Sequence, residues 1–245
     1  MFSKELNKKI TGYYEAYYKL CGLKNYLALA QARLNEEVIE SKRMWALQEV
    51  LGFKFAPPQK HFIMGAGAGG LAVVLKQEYG VEVSGCEPDT VALDIIKEKL
   101  KEKAINSAGF TGDFGEALSF ESNQFDFVHC FTVLEHVQDV EKCLQEMIRI
   151  AKPNGLIYIN TPNYDFPEER HYKIRFPFGP ATMPRFFSYL YLFLRGLPLQ
   201  FFKGLNLLTK KELNKMLSRY SDIEFTEFGP PQTQEILVVK LTQLV

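Results

Sequence analysis

Cysteine, tryptophan and net charge are all in short supply. The 245 residues hold one Trp and four cysteines, Cys21, Cys86, Cys130 and Cys143. These are widely scattered and form no CxxC pair. That pattern argues against a zinc knuckle or a disulfide framework and fits the reducing cytoplasm, which is the expected location. Lys plus Arg equals Asp plus Glu at 29 each. A chain without a basic excess is not built as a dedicated nucleic-acid binder, and no nucleic-acid partner is expected. The opening MFSKELNKKITGYY lacks the apolar core of a signal peptide. The most apolar stretch, residues 186–202, is interrupted by Arg195, Gly196 and Pro198, and is too short and broken to span a bilayer. No repeat or low-complexity tract occurs. With 47% hydrophobic and 24% charged residues, the composition is that of an ordinary globular protein.

Residues 1–55 read as helical. Apolar Leu27, Leu34, Val38 and Trp45 recur at helical spacings, and Pro57-Pro58 ends the pattern. From His61 the texture alternates between strand and helix. HFIMG, VEVSGCE, FDFVHCF and GLIYINTP read as strands, with a shorter one around Ile105 to Phe110. PDTVALDIIKEKLKEK and DVEKCLQEMIRIAKP read as the helices between them. Such alternation implies parallel βαβ units with right-handed crossovers. TKKELNKMLSRY is a helix with Thr209 and Glu212 placed as a capping box. SDIEFTEF and EILVVKLT then close the chain as a hairpin. The expected organisation is a helical cap over 1–56 and one α/β domain over 57–245, with 163–208 inserted as a lid. That insertion carries five prolines, three glycines and a dense run of aromatic residues.

Gly65-Ala66-Gly67-Ala68-Gly69-Gly70 lies between a strand and a helix. Glycines there allow a tight turn and close approach of a ligand, and the helix N-terminus offers free N–H groups. Gly65, Gly67 and Gly70 fit the G-x-G-x-x-G pattern, and Glu87 ends the next strand about twenty residues on, placed to accept from both hydroxyls of a ribose. The loop therefore points to an adenosine-containing cofactor. On its own it leaves NAD and S-adenosylmethionine both open.

From the loop onward the chain resembles the class I S-adenosylmethionine-dependent methyltransferases, particularly their ubiquinone-biosynthesis-like, small-molecule branch. FIMGAGAGG is similar to the family's first motif and VSGCEPD to its second. Thr111-Gly112-Asp113-Phe114 resembles the third, SFESNQFDFVHCFTVLEHV the FDxV…LEH stretch, and IAKPNGLIYINTPN the L-K-P-G-G segment and its strand. The resemblance runs from about Lys60 to Asn163, and more weakly from Leu208 onward. It implies an α/β, Rossmann-like seven-stranded, mostly parallel sheet with a terminal antiparallel hairpin, and S-adenosyl-L-methionine as cofactor. The cofactor-binding set it implies is Gly65, Ala66, Gly67, Gly69, Glu87 on the ribose, Pro88, Asp113 on the adenine amino group, Phe114 through its backbone, and Phe131 beside the methionine part. Many members carry an acidic residue two positions before the first glycine. Ile63 stands there in this chain.

A sulfonium methyl is already activated, so the protein chiefly aligns nucleophile, methyl and sulfur and excludes water. A hydroxyl acceptor needs a base as well. His136, near the expected start of the next helix, is the best-placed candidate; its alternative is to cap or pack that helix. No metal is expected, because adjacent Glu135 and His136 on a helix would point about 100° apart. His61 and His129 read as structural. His171 and Tyr172, in the insertion, are candidate substrate contacts, or else parts of a solvated charged loop. The expected acceptor is a small molecule, including lipid- or sugar-linked ones, with O-methylation favoured. An inactive cofactor-binding scaffold and, more distantly, a NAD-dependent oxidoreductase are the alternatives. RFFSYLYLFLRG suggests peripheral membrane contact through 186–202, although no basic face accompanies its apolar one.

Overall fold

The computed structural model describes residues 2–242. Three helices come first: α1 (Lys4–Leu20), α2 (Tyr26–Ala32) and α3 (Glu36–Leu51). The alternating part runs β1 (Lys60–Met64), α4 (Gly70–Tyr79), β2 (Glu82–Cys86), α5 (Thr90–Glu102), β3 (Phe110–Thr111), β4 (Phe125–Phe131), α6 (Val140–Ile150) and β5 (Ala151–Pro162). An insertion contributes β6 (Glu168–Glu169), β7 (Ile174–Arg175), α7 (Arg185–Leu194) and α8 (Leu199–Lys203). Then α9 (Lys210–Leu217), β8 (Ile223–Phe228) and β9 (Thr233–Lys240) end the chain. The main sheet has seven strands in the order β3-β2-β1-β4-β5-β9-β8. β1 to β5 pair in parallel, and β9 runs antiparallel to both β5 and β8.

Local signals explain where the helices begin. Asp89 caps α5 by accepting from Val91 and Ala92 N–H groups, Asp139 caps α6, and the Thr209–Glu212 capping box closes on itself. β1 shows how the sheet is buried on both faces. Phe62 and Met64 enter one core cluster with Cys130, Leu144 and Leu213, while Ile63 enters the other with Leu75, Phe127 and Tyr158.

Two sequence expectations fail here. The strand around Ile105 to Phe110 is confined to Phe110–Thr111, because the chain just before it turns, Phe110 N–H donating back to Ser107 O at 3.0 Å. The apolar stripe over the first helices also points outward: Leu27 and Val38 are each 55% exposed and Trp45 64%. The buried face of α3 is instead Glu36, Glu40, Met44 and Leu47. Its charges are matched by Lys99, Arg33 and Arg43, so polar residues take the inward positions that spacing assigned to apolar ones.

The insertion has its own core of Tyr164, Tyr172, Phe176, Leu192, Phe202 and Leu205. It meets α1 through Phe201 edge-on to Tyr17, at 5.9 Å between ring centres, and through Pro198 over Gly22. No helix among the described residues is long and apolar enough to cross a membrane.

His61 and His129 are both fully buried, with His61 Nδ1 3.0 Å from His129 Nε2 and His61 Nε2 3.1 Å from Gln59 Oε1. If His61 donates to Gln59, its Nδ1 accepts from His129, so both rings are neutral. Burial pushes His61 down to about 3 and His129 well below its ordinary value. The neutral pair contributes fully above the unfolded-state value of about 6.5, and this stability is lost as pH falls from there. Each imidazole should make unfolding easier by about 1.4 kcal/mol per pH unit in that window. Urea melts between pH 7 and 4 should show a shallower acid slope for His129→Leu than for wild type. Equal slopes would show that the pair does not govern acid stability.

Candidate active site

Sheet register assembles the site. Met64 of β1 aligns with Cys86 of β2 on one side and Cys130 of β4 on the other. The next residues, Gly65, Glu87 and Phe131, therefore share one level at the carboxyl edge. The strand order reverses between β1 and β4, and ligands of open parallel sheets bind in the crevice at such a switch point.

The glycine loop turns there with positive φ at Gly65, Gly67 and Gly69. Ala66 N–H donates to Cys86 O at 2.9 Å, tying the loop to β2. Glu87 accepts from Gly67 N–H at 2.8 Å and from Asp89 N–H at 3.0 Å. Burial raises the Glu87 carboxyl above its ordinary value, and these two N–H groups oppose the rise. An ideal Cβ built on Gly67 meets no atom within 4 Å, so open space lies directly over the loop. That cradle, with an anchored carboxylate beside it, fits an adenosyl cofactor: the loop would lie against it and the lone pairs left on Glu87 would take its ribose hydroxyls. Glu87→Ala should weaken S-adenosylmethionine binding by about 1.5–3 kcal/mol, with Glu87→Gln in between. Calorimetry giving the wild-type dissociation constant for the Ala variant would remove Glu87 from the ribose contact.

Pro88 and Phe114 are exposed, Phe114 by 58%. Asp113 is half-buried. One of its oxygens accepts from Ser119 N–H at 2.8 Å and Ser119 Oγ at 2.6 Å, leaving the other free. Partial burial would raise its carboxyl, but the Ser119 bonds outweigh this and hold it below the usual range. Ile63 is buried in the core and offers nothing to the cofactor.

The helical segment adds residues that motif reading did not find. The Arg43 guanidinium lies 4.8 Å over the Phe131 ring. Burial raises the Tyr13 hydroxyl well above its ordinary value, and the charges of Asp89 and Glu87 push the same way. The paired tyrosines of GYYEAYYKL were the visible signal.

His136 departs from expectation. It lies not at a helix start but in a turn, since α6 begins only at Val140. Glu135 and His136 are therefore not held 100° apart as they would be on a helix. Asn206 braces this turn, its Nδ2 donating to Leu134 O and Val137 O while its N–H donates to Glu135 O. Glu135 is fully buried; its Oε2 accepts from Thr161 Oγ1 at 3.0 Å and its Oε1 has no partner. Burial pushes its carboxyl up to about 7. His136 is exposed, yet loss of hydration from the protein packed around its ring, and then His171, push it down to about 4. At neutral pH it is an uncharged acceptor.

His171 arrives from the insertion at the β6–β7 turn. Its ring centre is 5.1 Å from that of His136, and Phe201 packs against both. His171 Nδ1 is 2.6 Å from Glu169 Oε1, and Glu169, itself buried, also accepts from Tyr172 N–H at 2.7 Å. So His171 is an oriented ring rather than part of a solvated loop. Tyr172 corrects the expectation of a substrate contact: it is buried, and its hydroxyl donates to Pro198 O and accepts from Phe202 N–H. It holds the insertion together.

Residues 63–159 match the sequence family described as a methyltransferase domain. The chain is 29% identical over 115 residues to phosphoethanolamine N-methyltransferase 2 of Caenorhabditis elegans, covering 47% of this chain and 26% of that one. It is 26% identical over 107 residues to the ubiquinone biosynthesis O-methyltransferase of Coxiella burnetii, covering 44% and 45%. The matches thus span less than half of either relative. In fold the chain is similar to the YcgJ protein of Bacillus subtilis, with a TM-score of 0.60 at 16% identity, covering 83% of this chain and 98% of that one. Glycine loop, acidic strand end and sheet order agree with the family match: residues 63–159 form a methyltransferase domain similar to those of the class I S-adenosylmethionine-dependent enzymes.

Proposed function

We propose that this protein transfers the S-adenosylmethionine methyl group to a hydroxyl of a small-molecule acceptor, including lipid- or sugar-linked ones. The observation that carries this reading is the arrangement beyond the cofactor cradle. Phe131 shares the level of Gly65 and Glu87, and the Glu135–His136 turn comes next at the carboxyl edge. His171 and Phe201 then close the space from the insertion side. A neutral imidazole there can take the hydroxyl proton as oxygen attacks the methyl carbon and the C–S electron pair returns to sulfur. Tyr17 and Phe201 supply the apolar wall that keeps water out.

The outer face of α7 supports an acceptor carried at a lipid surface. Phe186, Phe187, Leu190, Phe193 and Leu194 are all exposed, with Arg185 and Arg195 at the helix ends. The direct test is transfer of a labelled methyl group from S-adenosylmethionine into cell extract, fractionated into aqueous and lipid phases. Binding of the cofactor without label transfer into either phase would favour the inactive scaffold. Preferential binding of NADH would overturn the cofactor assignment.

A further inference from the structure

Glu135, His136 and His171 come from two distant segments, yet one ligand-type atom from each lies within 4.8 Å of the other two. We propose that these three side chains form a divalent-metal site of the two-imidazole, one-carboxylate kind, with its open positions turned toward the methyl acceptor.

Three independent features point to a ligand there. Glu135 Oε1 is fully buried and lacks any hydrogen-bond partner, a costly state that a bound cation relieves. His171 is held through Nδ1 by the buried Glu169 carboxylate. That bond fixes the tautomer, puts the lone pair on Nε2, and reproduces the carboxylate–histidine–metal arrangement of outer-shell support. Finally, Glu135 is itself oriented by Thr161 Oγ1 on its other oxygen, and the turn carrying Glu135 and His136 is pinned by Asn206. Bonds of about 2.0–2.2 Å in a tetrahedral site put ligand atoms about 3.3 Å apart, so closure needs movements of about 1.5 Å. Two nitrogens and one oxygen select a borderline cation such as Zn²⁺, Fe²⁺, Co²⁺ or Mn²⁺ over Ca²⁺ or Mg²⁺.

A site of this kind leaves coordination positions open for an oxygen ligand. With the cation bound, His136 serves as its ligand in place of the base described above, and an acceptor hydroxyl coordinated there loses its proton to solvent because the cation stabilises the oxyanion. The oxygen then bonds to the methyl carbon while the C–S bond breaks toward sulfur, and no redox change occurs. This role rests on the methyl-transfer reading above, but the binding itself does not.

The test is titration of the full-length, chelator-treated protein with Zn²⁺ by calorimetry, and with Co²⁺ by visible absorption. One equivalent should bind with micromolar or tighter affinity, and Co²⁺ should give ligand-field bands that Zn²⁺ quenches. His171→Ala, at a half-buried turn, should keep the fold and lower affinity at least about 100-fold, and Glu169→Gln about 10–100-fold. S-adenosylmethionine binding should be unchanged in both. No stoichiometric binding by wild type, or binding that His171→Ala and His136→Ala leave intact, overturns the site. If metal binds with this affinity and ligand dependence while no methyl transfer is found, the site stands and the functional reading falls. If methyl transfer proceeds at full rate in metal-stripped protein that binds no Zn²⁺, the reverse holds.

Discussion

Gly67→Val should abolish measurable S-adenosylmethionine binding while leaving the protein folded. Gly67 has φ +54°, and a Cβ placed on it meets no protein atom within 4 Å. The branched side chain would instead occupy the space over the loop where the cofactor must lie against the backbone. A loss of at least about 100-fold in affinity, about 2.7 kcal/mol, is expected. The left-handed conformation adds about 1–2 kcal/mol of strain to the folded state, enough to lower the urea midpoint but not to unfold the chain. Gly67→Ala should fall between. Gly70 offers the contrast, because a Cβ there runs into the Glu36 side chain, so Gly70→Val should disrupt packing between α3 and α4. Calorimetry on folded Gly67→Val decides the matter. A dissociation constant within threefold of wild type would mean the cofactor does not lie over this loop.

The sheet and the glycine turn were legible because their signals are local. A strand, six loop residues rich in glycine and an acidic strand end lie within 28 residues, His61 to Pro88, and the backbone turns where the glycines permit. The capping box marked a helix start for the same reason: the Thr209 side chain accepts from Glu212 N–H three residues on. The acceptor end was not legible in the same way. His136 and His171 are 35 positions apart in sequence, and their rings come to 5.1 Å only once the insertion folds, with Asn206 bonded to the turn that carries His136 and Phe201 packed on both rings. Glu169 and His171 are two residues apart, a spacing that means little until β6 and β7 form a hairpin. The inward face of α3 was misread because burial there follows charge pairing with α5 rather than hydrophobicity. Val38 and Trp45 face out because Glu36, paired inward with Lys99, sets which side of α3 is buried.

Lys99→Met should cost about 3 kcal/mol of folding stability, and the loss should be rescued by a second change. Lys99 is 1% exposed, and its Nζ lies 3.1 Å from Glu36 Oε2 and 2.8 Å from Glu37 Oε1. This joins α5 to α3 inside the molecule. Glu36 is buried too, and accepts from Tyr14 Oη at 2.8 Å, with Arg33 3.9 Å away. Removing the ammonium leaves a buried carboxylate with only these two partners, and breaking a buried pair from one side typically costs about 3–5 kcal/mol. The remaining partners set the expectation at the lower end. Because the penalty is mostly that of a stranded charge, Lys99→Met combined with Glu36→Gln should recover much of it, the amide oxygen still accepting from Tyr14. Exposed pairs such as Lys9–Glu98 should by contrast contribute little when cut, because water screens them. Urea unfolding of the two single variants and the double variant measures the coupling. A Lys99→Met change below about 0.5 kcal/mol, or a double variant no more stable than Lys99→Met alone, would show that the pair is not what fastens α3 to α5. The consequence reaches the active site, because the same Glu36 side chain lies against Gly70 at the start of α4. Loosening it should free the helix whose N-terminus backs the glycine loop, so S-adenosylmethionine should bind the Lys99→Met variant more weakly and, at saturation, restore part of its lost stability.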